Sequence, residues 1–159
     1  MDKSADNPKR RSLRLPGHDY REPGYAYFLT IRARADTRPF ADQALAQEAI
    51  GILSTLEALS RVRVIAYCFM PDHLHLICWA ADGADSIPSF VGRFKSFVTR
   101  AARSYGYGRS LWQRYYYDHV VRKSEDLKEI CEYVIANPER KGLVGAGEGY
   151  PFAAFLGLP

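Results

Sequence analysis

Apolar residues along this chain recur with two different periods, and the switches between them mark its elements. The stretch YAYFLTIR (25–32) is aromatic and β-branched and reads as a strand. Between Asp42 and Leu59 the apolar positions Leu45, Ala49, Ile52, Leu53, Leu56 and Leu59 recur at threes and fours, which predicts a helix with one packed face. RVRVIAYCFM (61–70) and HLHLICWA (73–80) are strand-like again. The Pro71-Asp72 pair between them predicts a hairpin, because proline presets φ for the turn. Ile87, Phe90, Val91, Phe94, Phe97, Val98 and Ala101 return to helical spacing, with Pro88 tolerated in the first turn. A loop rich in glycine and tyrosine (104–110) leads into the aromatic run LWQRYYYDHVVR (111–122), which has room for a short strand. A last helix is expected to open at Ser124, with Glu125 and Asp126 at its positive end, and to stop at Asn137 because Pro138 follows. The order β-α-β-β-α, a short strand, then α suggests the α+β class: a ferredoxin-like antiparallel sheet with helices packed on one face.

With 159 residues, 47% of them hydrophobic, the chain suffices for one core. One domain over 21–159 is therefore expected, preceded by a basic arm over 1–20 that is interrupted by Pro8 and Pro16 and reads as flexible. No apolar run approaches the roughly 20 residues that span a bilayer. Three cysteines (Cys68, Cys78, Cys131) argue against a disulfide framework and for a reducing, cytoplasmic setting.

The formal charge is only +4, yet the basic residues cluster: Lys9, Arg10, Arg11 and Arg14, then Arg32, Arg34 and Arg38, then Arg93, Lys95, Arg100 and Arg103. A local basic face is what meets a phosphate backbone, although a solvated surface is the plainer alternative for each cluster. Trp112, Tyr115, Tyr116 and Tyr117 lie beside Arg114, Arg122 and Lys123. That mixture suits single-stranded or hairpin DNA, with rings for unstacked bases and cations for phosphates. Alternate aromatics of the run are equally suited to the core. His119 is read as structural or DNA-contacting rather than as a ligand.

His73 and His75 are two apart on an expected strand, so both imidazoles project from the face that also carries Ile77 and Trp79, while Leu74, Leu76 and Cys78 turn the other way. A zinc site is the alternative, since two cysteines lie close by. Cys78 faces away from the pair, whereas Cys68 falls opposite His75 if the turn has two residues. Tyr133 and Asn137, four apart, present a phenol and an amide oxygen on one helical face.

Together YFLTIRAR (27–34), AYCFMPDHLHLI (66–77), LWQRYYYDHVVR (111–122), YVIANPERKGLV (133–144) and the closing Tyr150-Pro151-Phe152 resemble the HUH-type tyrosine transposases that act on single-stranded DNA, and more closely their REP-associated branch. The resemblance spans about residues 10 to 155. It implies that His73 and His75 are the paired metal-binding histidines and that Tyr133 is the nucleophile. Asn137 matches a position that is often Gln in related insertion-sequence enzymes, so its shorter amide must reach one methylene further. The implied activity is cleavage and rejoining of single-stranded DNA near hairpins through a 5′-phosphotyrosine. The Asn-Pro ending favours the REP-associated branch and a monomer, with a dimer as the alternative. Two imidazoles and an amide leave positions for phosphate oxygens and suit Mg²⁺ or Mn²⁺. Tyrosine has a pKa of about 10 and needs help to attack at neutral pH, and no residue declares itself as the base. Two rival readings are a non-catalytic hairpin-binding protein of the same fold and a metal-dependent nuclease using activated water.

Overall fold

The structure is a computed structural model that describes residues 17–20, 22–108, 110–122 and 125–159. Its elements are β1 (Ala26–Arg32), α1 (Gln43–Ser60), β2 (Val62–Met70), β3 (His73–Ala80), α2 (Ile87–Ala102), β4 (Tyr117–Val121), α3 (Leu127–Ile135), a single turn α4 (Asn137–Arg140) and β5 (Ala153–Phe155). The five strands form one antiparallel sheet in the order β4-β1-β3-β2-β5.

The β2–β3 hairpin has the expected register. Met70 pairs with His73 and Cys68 with His75, so Pro71 and Asp72 alone form the loop. That loop is tied down from outside: the Ala33 amide donates to the Asp72 carbonyl and the Phe40 amide to the Pro71 carbonyl. Strand alternation then sorts the side chains. Leu29, Ile31, Phe69, Leu74, Leu76 and Cys78 face α1 and α2 in the main core. A bulge between Val64 and Ala66 lets β2 give Val64 to that core while Ile65, Ala66, Cys68 and Met70 serve the other face.

There Cys131 and Val134 of α3 pack over β2 and β5. Only α1 and α2 therefore meet the expectation of helices on one face. With that face filled, the apolar stripe Leu127, Ile130, Cys131 and Val134 finds its cover on the opposite side. The helix also starts later than Ser124: the Asp126 side chain accepts the amides of Lys128 and Glu129 and caps it. It ends at Ile135, and Asn137 opens α4 with Pro138 in its first turn instead of stopping the chain's helical course.

Two apolar positions assigned to packed faces are exposed. Leu59 and Phe97 lie at the outer margins of their helices, where the stripe has rotated toward solvent. The boundary of the arm also moves. Tyr20 is buried, stacks on Tyr27 and donates its hydroxyl to Asp118 Oδ2 at 2.5 Å, while His18 Nε2 meets the Tyr27 hydroxyl at 2.8 Å. The folded unit thus includes residues placed in the arm from sequence.

Candidate active site

β3 is the central strand, held by β1 on one side and β2 on the other, so the backbone beneath His73 and His75 is fixed from both edges. The two Nε2 atoms stand 3.0 Å apart. Both remaining ring nitrogens are engaged: His73 Nδ1 with Asp72 Oδ1 at 2.6 Å, and His75 Nδ1 with Thr30 Oγ1 at 3.0 Å. A carboxylate only accepts, so His73 carries its proton on Nδ1 and leaves a lone pair on Nε2. With Thr30 accepting in the same way from His75, two lone pairs converge on one point. Adjacent ligands of an octahedral ion with bonds of about 2.1 Å stand about 3.0 Å apart, so the pair fits a divalent cation. Hydrogen bonds to the far nitrogens are the usual way such ligands are oriented.

Burial disfavours the charged form of both rings, and a metal ligand must be neutral. Burial lowers the His75 pKa to about 3, helped by the positive potential of His73, Arg32 and Arg140. Burial also lowers His73, with Arg32 and Lys141 adding to it and Asp72 opposing. Burial acts the other way on Asp72, yet the hydrogen bond from His73 and the Arg32 charge hold it below the usual carboxylate range. The zinc alternative loses its sulfur ligand. Cys68 is buried, donates to Met70 Sδ, and burial pushes its thiol up to about 12. Among the described residues no cluster of three or more His, Cys, Asp or Glu forms a metal cage.

The influence of Arg140 on His75 and of Lys141 on His73 brings the α3–α4 junction to the same end of the sheet. Tyr133 is exposed there, with the Arg140 guanidinium 3.6 Å from its ring centroid. Asn137 is buried, and its Oδ1 has no hydrogen-bond partner. A buried orphan acceptor costs about 1–3 kcal/mol, and a neutral amide oxygen suits a hard cation. His73 and His75 thus form a pair that could share an ion, and Asn137 offers a buried amide oxygen without a hydrogen-bond partner.

The cationic and aromatic candidates divide sharply. Arg32 is exposed at the end of β1, opposite His73. Arg34, Arg114 and Arg122 are exposed on loops, Arg34 with a long contact to the Ser110 carbonyl and Arg114 over the exposed Tyr115 ring. Arg93 pairs with Asp85, and Arg100 lies exposed over Phe97. Both belong to α2, on the face of the sheet opposite the histidines. Lys95 is structural: its ammonium donates to the Gln113 and Arg114 carbonyls, and burial lowers its pKa. Trp112, read as a base-stacking ring, is buried against Phe40 and Phe94 with Nε1 bonded to the Lys95 carbonyl. His119 bonds Glu125 at 2.8 Å. Lys9, Arg10, Arg11 and Arg14 lie outside the described residues. Sequence reasoning missed Thr30, Asp72, Arg140 and Lys141. Only Arg140, two helical turns after Tyr133, carried a usable signal.

Residues 25–137 match the family model described as Transposase IS200 like. A Haemophilus influenzae protein named for the REP-associated tyrosine transposases is 25% identical over 142 residues, covering 83% of this chain and 80% of its own. The REP-associated tyrosine transposase of Escherichia coli K12 is 27% identical over 90 residues, 57% of this chain and 52% of its own. A solved structure of a REP-associated tyrosine transposase bound to a REP hairpin superposes with a TM-score of 0.71 at 22% identity, over 86% of this chain and 79% of that one, so the fold is shared. Fold and match together define a DNA-processing enzyme of the transposase class. The chain belongs to the IS200-like transposase family. Among the described residues no helix is long and apolar enough to cross a membrane.

Proposed function

We propose that this protein cleaves and rejoins single-stranded DNA beside a hairpin, with Tyr133 as nucleophile and a Mg²⁺ or Mn²⁺ ion held by His73, His75 and Asn137. The observation that carries the reading is the pair of Nε2 atoms 3.0 Å apart with both Nδ1 atoms engaged. When bound, the ion supplies Lewis-acid polarisation of the scissile phosphate. The other work falls to the chain. Tyr133 Oη forms a bond to phosphorus as the bond to the 3′ oxygen breaks, the phenolic proton passes to water, and a free 3′-hydroxyl is left. The phosphotyrosine conserves the phosphodiester bond energy, so the reverse attack by a 3′-hydroxyl rejoins the strand without ATP.

Arg140 lies over the nucleophile's ring, and Arg32 and Lys141 add at the histidines the positive potential a phosphate needs. Hairpin DNA is the substrate that the REP-bound structural neighbour suggests. Lys9, Arg10, Arg11 and Arg14 would grip its stem, and Arg34, Arg93, Arg100, Arg114, Tyr115, His119 and Arg122 its flanks. A monomer is the working unit that the Asn137-Pro138 ending suggests, with a dimer as the alternative.

A denaturing gel of protein mixed with hairpin-bearing single-stranded DNA and Mn²⁺ tests the reading. A covalent protein–DNA band is expected, absent with chelator and absent for Tyr133→Phe. Binding without any covalent band would instead identify a non-catalytic hairpin binder. Cleavage that survives Tyr133→Phe would mean activated water is the nucleophile.

A further inference from the structure

β5 is an end strand of the sheet. It pairs with β2 through Cys68–Ala153, Tyr67–Ala154 and Ala66–Phe155, and among the described residues no strand pairs with its other side. Register decides which backbone groups that side displays. The Phe69 amide donates to the Phe152 carbonyl and the Leu156 amide to the Ile65 carbonyl, so Phe152, Ala154 and Leu156 turn their peptide groups toward β2. Ala153 and Phe155 turn theirs outward. The Tyr150 carbonyl takes the Ala153 amide, which leaves the Ala153 carbonyl and both groups of Phe155 facing away from the sheet. Such a row on an end strand is a template for a further strand.

Ala66 and Cys68 lie on the face that α3 covers, and directly opposed residues of antiparallel strands share a face, so Ala153 and Phe155 also point toward α3. Phe155 is nonetheless 49% exposed. Beside it opens a cavity of about 610 Å³, large enough for a ligand, whose apolar walls include Cys131, Ile135, Pro138, Val144 and Tyr150. The exposed residues of its lining are mostly acidic: Glu132, Glu139 and Glu148 against one base, Lys128. Lys128 meets Glu132 only at 3.8 Å. Glu139 and Glu148 accept the amides of Gly147 and Gly145, bonds that leave their charges in place. In a chain of formal charge +4, this edge is an acidic exception.

We propose that the β5 edge and this cavity dock an extended, basic segment of a partner protein. The segment adds antiparallel to β5, sets alternate apolar side chains into the cavity and brings lysine or arginine to Glu132, Glu139 and Glu148. Main-chain bonds to Phe155 hold it, and side-chain pockets and charge select it. Complementarity of charge fixes the occupant, because a phosphate backbone or an acidic strand would meet three carboxylates. One wall is α3, so the docked segment touches the helix that carries Tyr133, on the side of Cys131 and Ile135.

The test is fluorescence anisotropy with the full chain, free of DNA, and a fluorescein-labelled peptide Lys-Thr-Val-Thr-Val-Thr-Lys. As a strand it puts both valines and both lysines on one side. Saturable binding is expected. Exchanging the peptide's lysines for glutamate should weaken it by about tenfold or more, and Glu132→Gln with Glu139→Gln in the protein by about threefold or more. N-methylation of the two valines, whose amides face β5 in this register, should weaken binding by about tenfold or more, whereas N-methylation of the central threonine, whose amide faces away, should cost within about twofold. Phe155→Pro, which lacks the outward amide, should bind at least about threefold more weakly than Phe155→Ala, which keeps it. No binding by wild type overturns the proposal, as does equal binding of the glutamate peptide or of the valine-methylated one. A free chain that sediments as a dimer and becomes monomeric in Phe155→Pro also overturns it, since a second copy would then be the occupant.

Discussion

The guanidinium carbon of Arg140 lies 3.6 Å from the centroid of the Tyr133 ring, which places a cation over the exposed tyrosine of α3. Such a contact is worth about 0.5–1 kcal/mol at an exposed site, too little to matter for folding but enough to bias a rotamer. A reacting oxygen misplaced by about 1 Å can cost about 100-fold in rate. Arg140→Ala should therefore slow covalent adduct formation at saturating hairpin DNA by about tenfold or more, with half-saturation little changed. Arg140→Lys keeps the charge and loses the plane, so it should recover only part of the rate. Single-turnover rates for the three proteins check this, and equal rates would mean that the stack is idle.

Thr30 Oγ1 orients His75 from the neighbouring strand. Thr30→Val keeps the β-branched shape and removes only that oxygen. The fold should persist, while the Mn²⁺ concentration for half-maximal adduct formation rises by about tenfold or more, as for other partners of metal-bound histidines. A metal titration of both proteins reads the difference, and an unchanged midpoint would count against metal binding at the pair.

The orphan Oδ1 of buried Asn137 makes a sharper test. Asn137→Asp places a carboxyl where the amide stood, and burial without a partner raises a carboxyl's pKa. The folded state then binds the proton more tightly than the unfolded one, so stability falls as pH rises above the ordinary carboxylate range and returns as pH drops through it. In chelator the variant should melt below wild type at neutral pH and match it in acid. Added Mn²⁺ should raise its melting temperature more than that of wild type. Melting curves that ignore Mn²⁺ would remove Asn137 from the ligand set.

Tyr20 and Asp118 are 98 positions apart and joined by one buried hydrogen bond. Tyr20→Phe strips that donor from a buried carboxylate and should cost about 1–3 kcal/mol of unfolding free energy. Pairing it with Asp118→Asn in a double-mutant cycle should expose the coupling, since residues in contact are non-additive. Additive effects in urea melts would mean that the bond contributes nothing.

How legible the molecule was depended on whether local pattern or distant packing made the decision. The His73–His75 face and the two-residue Pro71–Asp72 turn follow from strand alternation and proline geometry, and both stand as expected. The side taken by α3 did not follow, because its apolar stripe is the same whichever face it meets. Trp112 and Lys95 read as DNA contacts because an aromatic beside cations looks alike in a groove and in a core. Their partners, Phe40, Phe94 and the Gln113 carbonyl, are set by tertiary structure. Tyr20 was hidden for the same reason, its partner lying 98 positions away.

The sheet also acts as a partition between two kinds of selection. Along β1, Leu29 and Ile31 are sealed beneath α1 and α2, whereas Phe28, Thr30 and Arg32 alternate with them on the histidine side. A substitution at every second position of that strand is thus invisible to the main core. A lineage of such enzymes, or a library built on this one, can vary Arg32 while the packing beneath α1 and α2 is inherited, whereas Phe28 answers to the second core against which it packs.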